Sequence, residues 1–104
     1  MESGAEFCVG CLVVHKRFGY RGVIVDVDAG FQLSEEWYDQ IARSRPPKDK
    51  PWYHVLVHCS DNMTYVAERH LEIDESNEPI DHPWLLEFFA DFEQGRYVAH
   101  KAFN

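Results

Sequence analysis

Cys8-Val9-Gly10-Cys11 has the spacing of a zinc or redox pair. A structural zinc site normally takes four ligands, commonly two such pairs. The third cysteine, Cys59, is single, so His15 or His58 would have to complete the set. A redox pair gains reactivity from a helix N-terminus that lowers its thiol pKa, whereas this pair enters a strand-like run. The plainer reading is two small residues at a strand start. His15, His54, His58, His70, His82 and His100 are scattered. Acid–base catalysis needs a partner held at contact distance, and no local pattern supplies one. Asp26 and Asp28, with Glu35 and Glu36 beyond them, could form a carboxylate pair. A solvated strand end leading into a helix cap explains them more simply. The expectation is a non-enzymatic binding protein with no metal and no cofactor.

Groups suited to recognition are more plentiful. Trp52-Tyr53-His54 opens a strand-like run behind Pro51, and Tyr20, Trp37 and Tyr65 lie near predicted strand edges and loops. Most such aromatics in a small domain are core. The alternative is a recognition surface, because aromatic and Arg groups contribute disproportionately to interfaces. Lys16, Arg17 and Arg21 form one basic group, and Arg43, Arg45, Lys48 and Lys50 another. They stand out against a net charge of −8. That charge is uneven: residues 1–60 hold seven Lys/Arg against eight Asp/Glu, and residues 61–104 hold three against ten. Nucleic acid is bound largely by neutralising phosphates, so the total opposes generic binding and only a local basic patch could overcome it.

The elements that must position these groups read as follows. Residues 1–6 form a flexible N-terminus without an apolar stretch of signal-peptide length. The longest apolar runs are too short to span a membrane, and three cysteines without a secretory signal favour reduced thiols and a cytoplasmic location. Cys8–His15 is a first strand, and Lys16–Tyr20 a tight connection using Gly19. Gly22–Asp28 is a second strand, hairpin-paired to the first, with Val23, Val25 and Val27 on one face. In the long connection 29–50, Ser34 caps a short helix whose apolar face is Trp37 and Ile41 with Tyr38, and Pro46-Pro47 ends it. Tyr53–Cys59 and Met63–Ala67 form a second hairpin. Glu68–His70 makes one helical turn before a short fifth strand, Leu71–Ile73. After an acidic loop, Leu85, Leu86, Phe88, Phe89 and Phe92 recur at near-helical spacing, with Gly95 as terminator. Residues 96–104 form a tail. The fold is therefore expected to be mainly β. It is a small SH3-like β-barrel over 7–95 with a short helix in the long loop and a C-terminal helical segment; an OB-type barrel is the alternative.

Several of these phrases together resemble a known family. Phe18-Gly19-Tyr20-Arg21-Gly22-Val23-Ile24, Pro51-Trp52-Tyr53-His54-Val55-Leu56-Val57 and Thr64-Tyr65-Val66-Ala67-Glu68, in that order, are similar to the YccV-like hemimethylated-DNA-binding family. A bacterial heat shock protein is among its members. The resemblance implies an SH3-like barrel without enzymatic activity. It also implies binding of hemimethylated origin DNA with control of DnaA stability, a specificity-factor role toward Lon protease and its substrates, and self-association. On this reading Lys16, Arg17, Arg21, Arg43, Arg45, Lys48 and Lys50 contact phosphates, and Tyr20 or Trp52 reads the methyl group. Trp52, Tyr53, His54, Tyr65 and Glu68 form the recognition surface. Cys8 and Cys11 fall outside the family pattern. The acidic total favours a protein partner, and the resemblance favours DNA.

Overall fold

β3 (Trp52–Val57) is apolar along most of its length and β2 (Arg21–Asp28) through its middle, Val23–Val25, and the computed structural model shows why. It describes residues 4–100. These stretches are buried on two faces, so they lack the polar alternation of a half-solvated strand, which returns only at the Asp26–Asp28 end of β2. Together with β1 (Leu12–His15), β4 (Met63–Ala67) and β5 (Leu71–Ile73) the two strands form an antiparallel sheet in the order β4-β3-β2-β1-β5. A 3-10 turn, Glu68–His70, joins β4 to β5 at opposite edges of that sheet. No hydrogen-bonded ladder joins these two strands among the described residues. The sheet is thus open, and the fold is mainly β without a closed barrel.

The inner face packs Phe7, Val13, Ile24, Tyr53, Val55, Val66 and Leu71 into one cluster. Gly22 lies opposite Val57, and a Cβ there would stand 2.5 Å from Val55 Cγ1 and 2.6 Å from the Leu56 carbonyl oxygen. The outer face is shared. Leu12, Val23, Val25 and Leu56 meet Ile80, Phe89 and Tyr97 at one end. Trp52 and Ala67 meet Tyr38 and Ala42 at the other.

Besides the unclosed barrel, several sequence expectations change, and the first strand begins at Leu12, after a turn at Cys8–Cys11. First, Val27 joins the inner cluster, not the face of Val23 and Val25. A β-bulge between Ile24 and Asp26 adds one residue and reverses the alternation beyond it. Second, the helix α1 (Glu35–Ile41), capped by Ser34, buries Tyr38, while Ile41 is 59% exposed. The buried stripe is Tyr38 and Ala42, one residue round from Trp37 and Ile41. Third, the C-terminal helical segment shrinks to α2 (Leu85–Phe88), and β6 (Phe89–Glu93) and β7 (Arg96–Ala99) form a hairpin instead. Gln94 and Gly95 both take positive φ, 55° and 77°, so Gly95 belongs to a two-residue hairpin turn and does not terminate a helix. Of the expected flexible N-terminus, residues 1–3 lie outside the described residues, and Glu6 N–H donates to Glu68 Oε2 at 2.8 Å. Residues 101–104 of the expected tail also lie outside them; 96–99 are β7.

Candidate functional site

A groove of about 660 Å³ lies between the 29–51 connection and the β1–β2 turn, over the outer face of β3 and β4. Strand alternation places Trp52 and His54 on that face and sends Tyr53 to the other. The Trp52 indole is 1% exposed, forms the floor, and donates its N–H to the Pro47 carbonyl at 3.0 Å. Tyr65 stacks on it with centroids 5.1 Å apart. The Tyr65 hydroxyl donates to Asp28 Oδ2 at 2.7 Å and accepts from Gln32 N–H at 3.1 Å. Burial, then the bond to Asp28, pushes the phenol pKa upward, so the ring stays neutral. His54 Nε2 lies 3.4 Å from the same carboxylate oxygen.

The α1 region contributes Leu33, Trp37, Ile41, Arg43 and Ser44. The β1–β2 turn contributes Arg17, Phe18 and Tyr20. That turn is shaped by His15, whose Nδ1 accepts N–H bonds from Arg17 and Phe18, each at 3.1 Å. The His15 ring stacks under Phe18 at 4.7 Å and against His70 at 5.7 Å. His70 Nε2 meets Ser44 Oγ at 2.9 Å and so joins the two sides of the groove. Burial, with His70 and Arg17 adding to it, holds the His15 pKa below its ordinary value near 6.5. Burial and then Arg69, Arg17 and Lys16 do the same to His70. The groove lining therefore carries two arginines, Arg17 and Arg43, and no carboxylate, in a chain with 18 acidic residues.

The structure distributes the expected recognition residues unevenly. Arg17, Tyr20, Arg43, Trp52, His54 and Tyr65 meet at the groove. Tyr20 is half-buried, its hydroxyl 2.8 Å from Thr64 Oγ1. Lys16 and Lys50 line a second hollow with Arg69, Glu6, Glu68 and Glu72, where the charges balance. Arg21 is a strut, bonded to Asp74 at 2.6 Å and to the Glu78 carbonyl. Arg45 pairs with Asp39 at 2.8 Å, and Lys48 with Glu35 at 2.6 Å. Both cations sit over the Tyr38 ring, 4.6 and 4.3 Å from its centroid. The cluster at 43–50 is thus half spent on internal pairs. Tyr53 is 0% exposed; its hydroxyl donates to Glu68 and accepts from Phe7 N–H, so the two residues anchor the N-terminal segment, Tyr53 from inside the core and Glu68 from the half-buried edge of the second hollow.

Sequence reasoning missed Phe18, Met63, Leu33, Ser44, His15 and His70. Phe18 had a signal: a large apolar residue beside Gly19 at a turn tip has little core to enter. It is 71% exposed. Asp26, Asp28 and His54 bring ligand atoms within 4.8 Å of one another, and this imidazole with two carboxylates could hold a divalent cation of the zinc or manganese kind.

The family model for hemimethylated DNA-binding proteins, YccV-like, matches residues 5–96. The chain belongs to the YccV-like family. It covers nearly the whole chain, including the groove, the strut Arg21 and β6. The YccV-like family is one of DNA-binding domains and not of enzymes. No helix among the described residues is long and apolar enough to cross a membrane.

Proposed function

We propose that this YccV-like domain binds hemimethylated DNA at the groove rim, with Phe18 contacting the methyl group and Arg17 and Arg43 contacting phosphates. One observation carries the reading: a lining with arginines and no carboxylate, beside the most protruding aromatic of the sheet, in an otherwise acidic chain. A methyl group in the major groove is reached by a projecting apolar side chain, as the thymine methyl is. Phe18 projects; Trp52 and Tyr20, the readers expected from sequence, are recessed. Two phosphate contacts give weak binding with a shallow salt dependence, a log–log slope of about 0.9 per contact.

The test is a titration of a hemimethylated duplex and its unmethylated twin at two salt concentrations. Phe18→Ala is expected to bring the ratio of the two affinities to about one while leaving the salt slope intact. Arg17→Ala with Arg43→Ala is expected to weaken both duplexes equally and lower the slope by about two. Wild-type protein that binds the two duplexes equally would sink the methyl reading.

A second reading rests on a different observation. Leu33, Ile41 and Met63 leave apolar surface exposed on the same rim. A peptide segment fits such a groove, which supports the role of cytoplasmic adaptor that the family resemblance suggests toward Lon protease in the stress response. Turnover of a model substrate by Lon should then change when the protein is added and return to its basal rate with Met63→Asp. An unchanged rate in both cases removes this reading. We also read the open sheet, with its 3-10 turn between β4 and β5, as an SH3-like barrel parted at one seam.

A further inference from the structure

Cys8 and Cys11 are both free, and their Sγ atoms lie 3.0 Å apart. Cys8 is exposed and Cys11 half-buried. We propose that these two thiols form a reversible intramolecular disulfide by exchange with a small-molecule disulfide such as oxidised glutathione.

The backbone gathers the pair before any bond forms. Cys11 N–H donates to the Cys8 carbonyl at 3.1 Å, closing a turn on Gly10, whose φ is +93°. The turn is pinned from two directions. Gly10 N–H donates to the Ile24 carbonyl and Ile24 N–H to the Cys11 carbonyl on the β2 side. Tyr97 N–H of β7 donates to the Gly10 carbonyl at 2.9 Å. A Cβ on Gly10 would fall 2.1 Å from the Tyr97 oxygen, so the position requires glycine. Holding two reactants together in the ground state removes most of the entropic barrier to their joining. Cys59 is the internal contrast. It is exposed too, but its sulfur faces His58 Nε2 at 3.2 Å and no second thiol. A metal is a weaker occupant for the pair, because no His, Asp or Glu of the described residues completes a three-ligand group with it.

The exchange runs in two displacements. One cysteine thiolate attacks a sulfur of oxidised glutathione; a protein–glutathione disulfide forms, and one glutathione thiolate leaves and takes a proton. The second cysteine thiolate then attacks the protein sulfur of that mixed disulfide. The Cys8–Cys11 bond forms, and the second glutathione leaves and is protonated. Two electrons pass from the dithiol to the glutathione disulfide. Burial, and then the Cys11 neighbour, raise the Cys8 thiol pKa, with Arg96 acting against them. Exchange should therefore accelerate as pH rises.

The full chain is equilibrated in glutathione buffers of increasing oxidised fraction, quenched with acid, alkylated and mapped by mass spectrometry. The expected result is loss of two hydrogens, an internal link between Cys8 and Cys11, and reversal by excess reduced glutathione. Cys59→Ser should behave identically. Cys8→Ser and Cys11→Ser should each accumulate a glutathione adduct on the remaining member of the pair, since the resolving step is gone. Wild-type protein that carries adducts on Cys8 or Cys11 without the internal link, or that links only between chains, would overturn the proposal.

Discussion

At the scale of single residues, His15 has the most to reveal. Its Nδ1 can accept the Arg17 and Phe18 amides only while unprotonated. Its pKa is lowered in the fold, first by burial and then by His70 and Arg17, while the unfolded chain protonates near 6.5. Above that value both states are neutral and the full stability is present. As pH falls below it the unfolded chain takes up the proton first, so stability drops until the lower folded value is passed. His70, lowered for similar reasons, acts in the same direction. The expected outcome is a falling urea midpoint from about pH 7.5 to about pH 5.5. His15→Asn places an oxygen near the Nδ1 position and removes one titration, so it should flatten that slope. An unchanged slope would show that the ring does not sense pH. Asp74 works in a separate, more acidic window. Burial alone would raise its pKa, but the Ser76 amide and the Arg21 guanidinium more than offset this and hold the carboxyl below its usual range. Its contribution is present at neutral pH and is lost only as pH falls past the carboxylate range.

At the scale of elements, the sheet depends on one close approach. Gly22→Ala would put a methyl group against Val55 and the Leu56 carbonyl, neither of which is a flexible side-chain end. The expected cost is about 1–3 kcal/mol, read as a lower denaturant midpoint with an unchanged m-value. A variant as stable as wild type would mean that β2 and β3 can separate freely. The strands were legible because Val, Ile and Tyr dominate them, and Ser34 announced its helix by being able to cap it. Two features were hidden for physical reasons. The bulge after Ile24 leaves no mark in composition, since Val25 suits either face. The β6–β7 hairpin was masked because Leu85, Phe88, Phe89 and Phe92 satisfy a helical period over a short window, although Gln94-Gly95 between apolar runs is also a turn signal. Site residues followed the same rule: Arg17, Arg43 and Tyr65 could be named from type, but whether Arg45, Lys48 or Arg21 is already paired depends on contacts across the fold.

At the scale of the molecule, charge and surface are segregated. Glu75, Glu78, Asp81, Glu87, Asp91 and Glu93 are exposed on the β6–β7 hairpin and its approach loop, and none of them lines the groove. The hairpin and the 29–51 connection each cover part of one sheet face, but they are held differently. The hairpin buries Phe89 and Tyr97, and the Tyr97 hydroxyl accepts from Ile80 N–H at 2.9 Å. The connection closes partly on itself: Phe31 N–H to the Lys48 carbonyl, the Tyr38 hydroxyl to the Pro46 carbonyl, Lys48 to Glu35 and Arg45 to Asp39. Of α1 and its C-cap only Tyr38 and Ala42 are buried, against Trp52 and Ala67, and the rest of the connection is tied to the body by the Trp52–Pro47, Gln32–Tyr65 and Ser44–His70 hydrogen bonds. Regions with few buried apolar contacts open below the global unfolding free energy. Amides of Tyr38 and Ala42 should therefore exchange with deuterium well before those of Val55 and Leu56; equal protection would make the two a single cooperative unit. The groove then has a lifetime of its own, shorter than that of the fold. On that outcome a partner that fills the groove acts as a latch, prolonging the docked state of its wall.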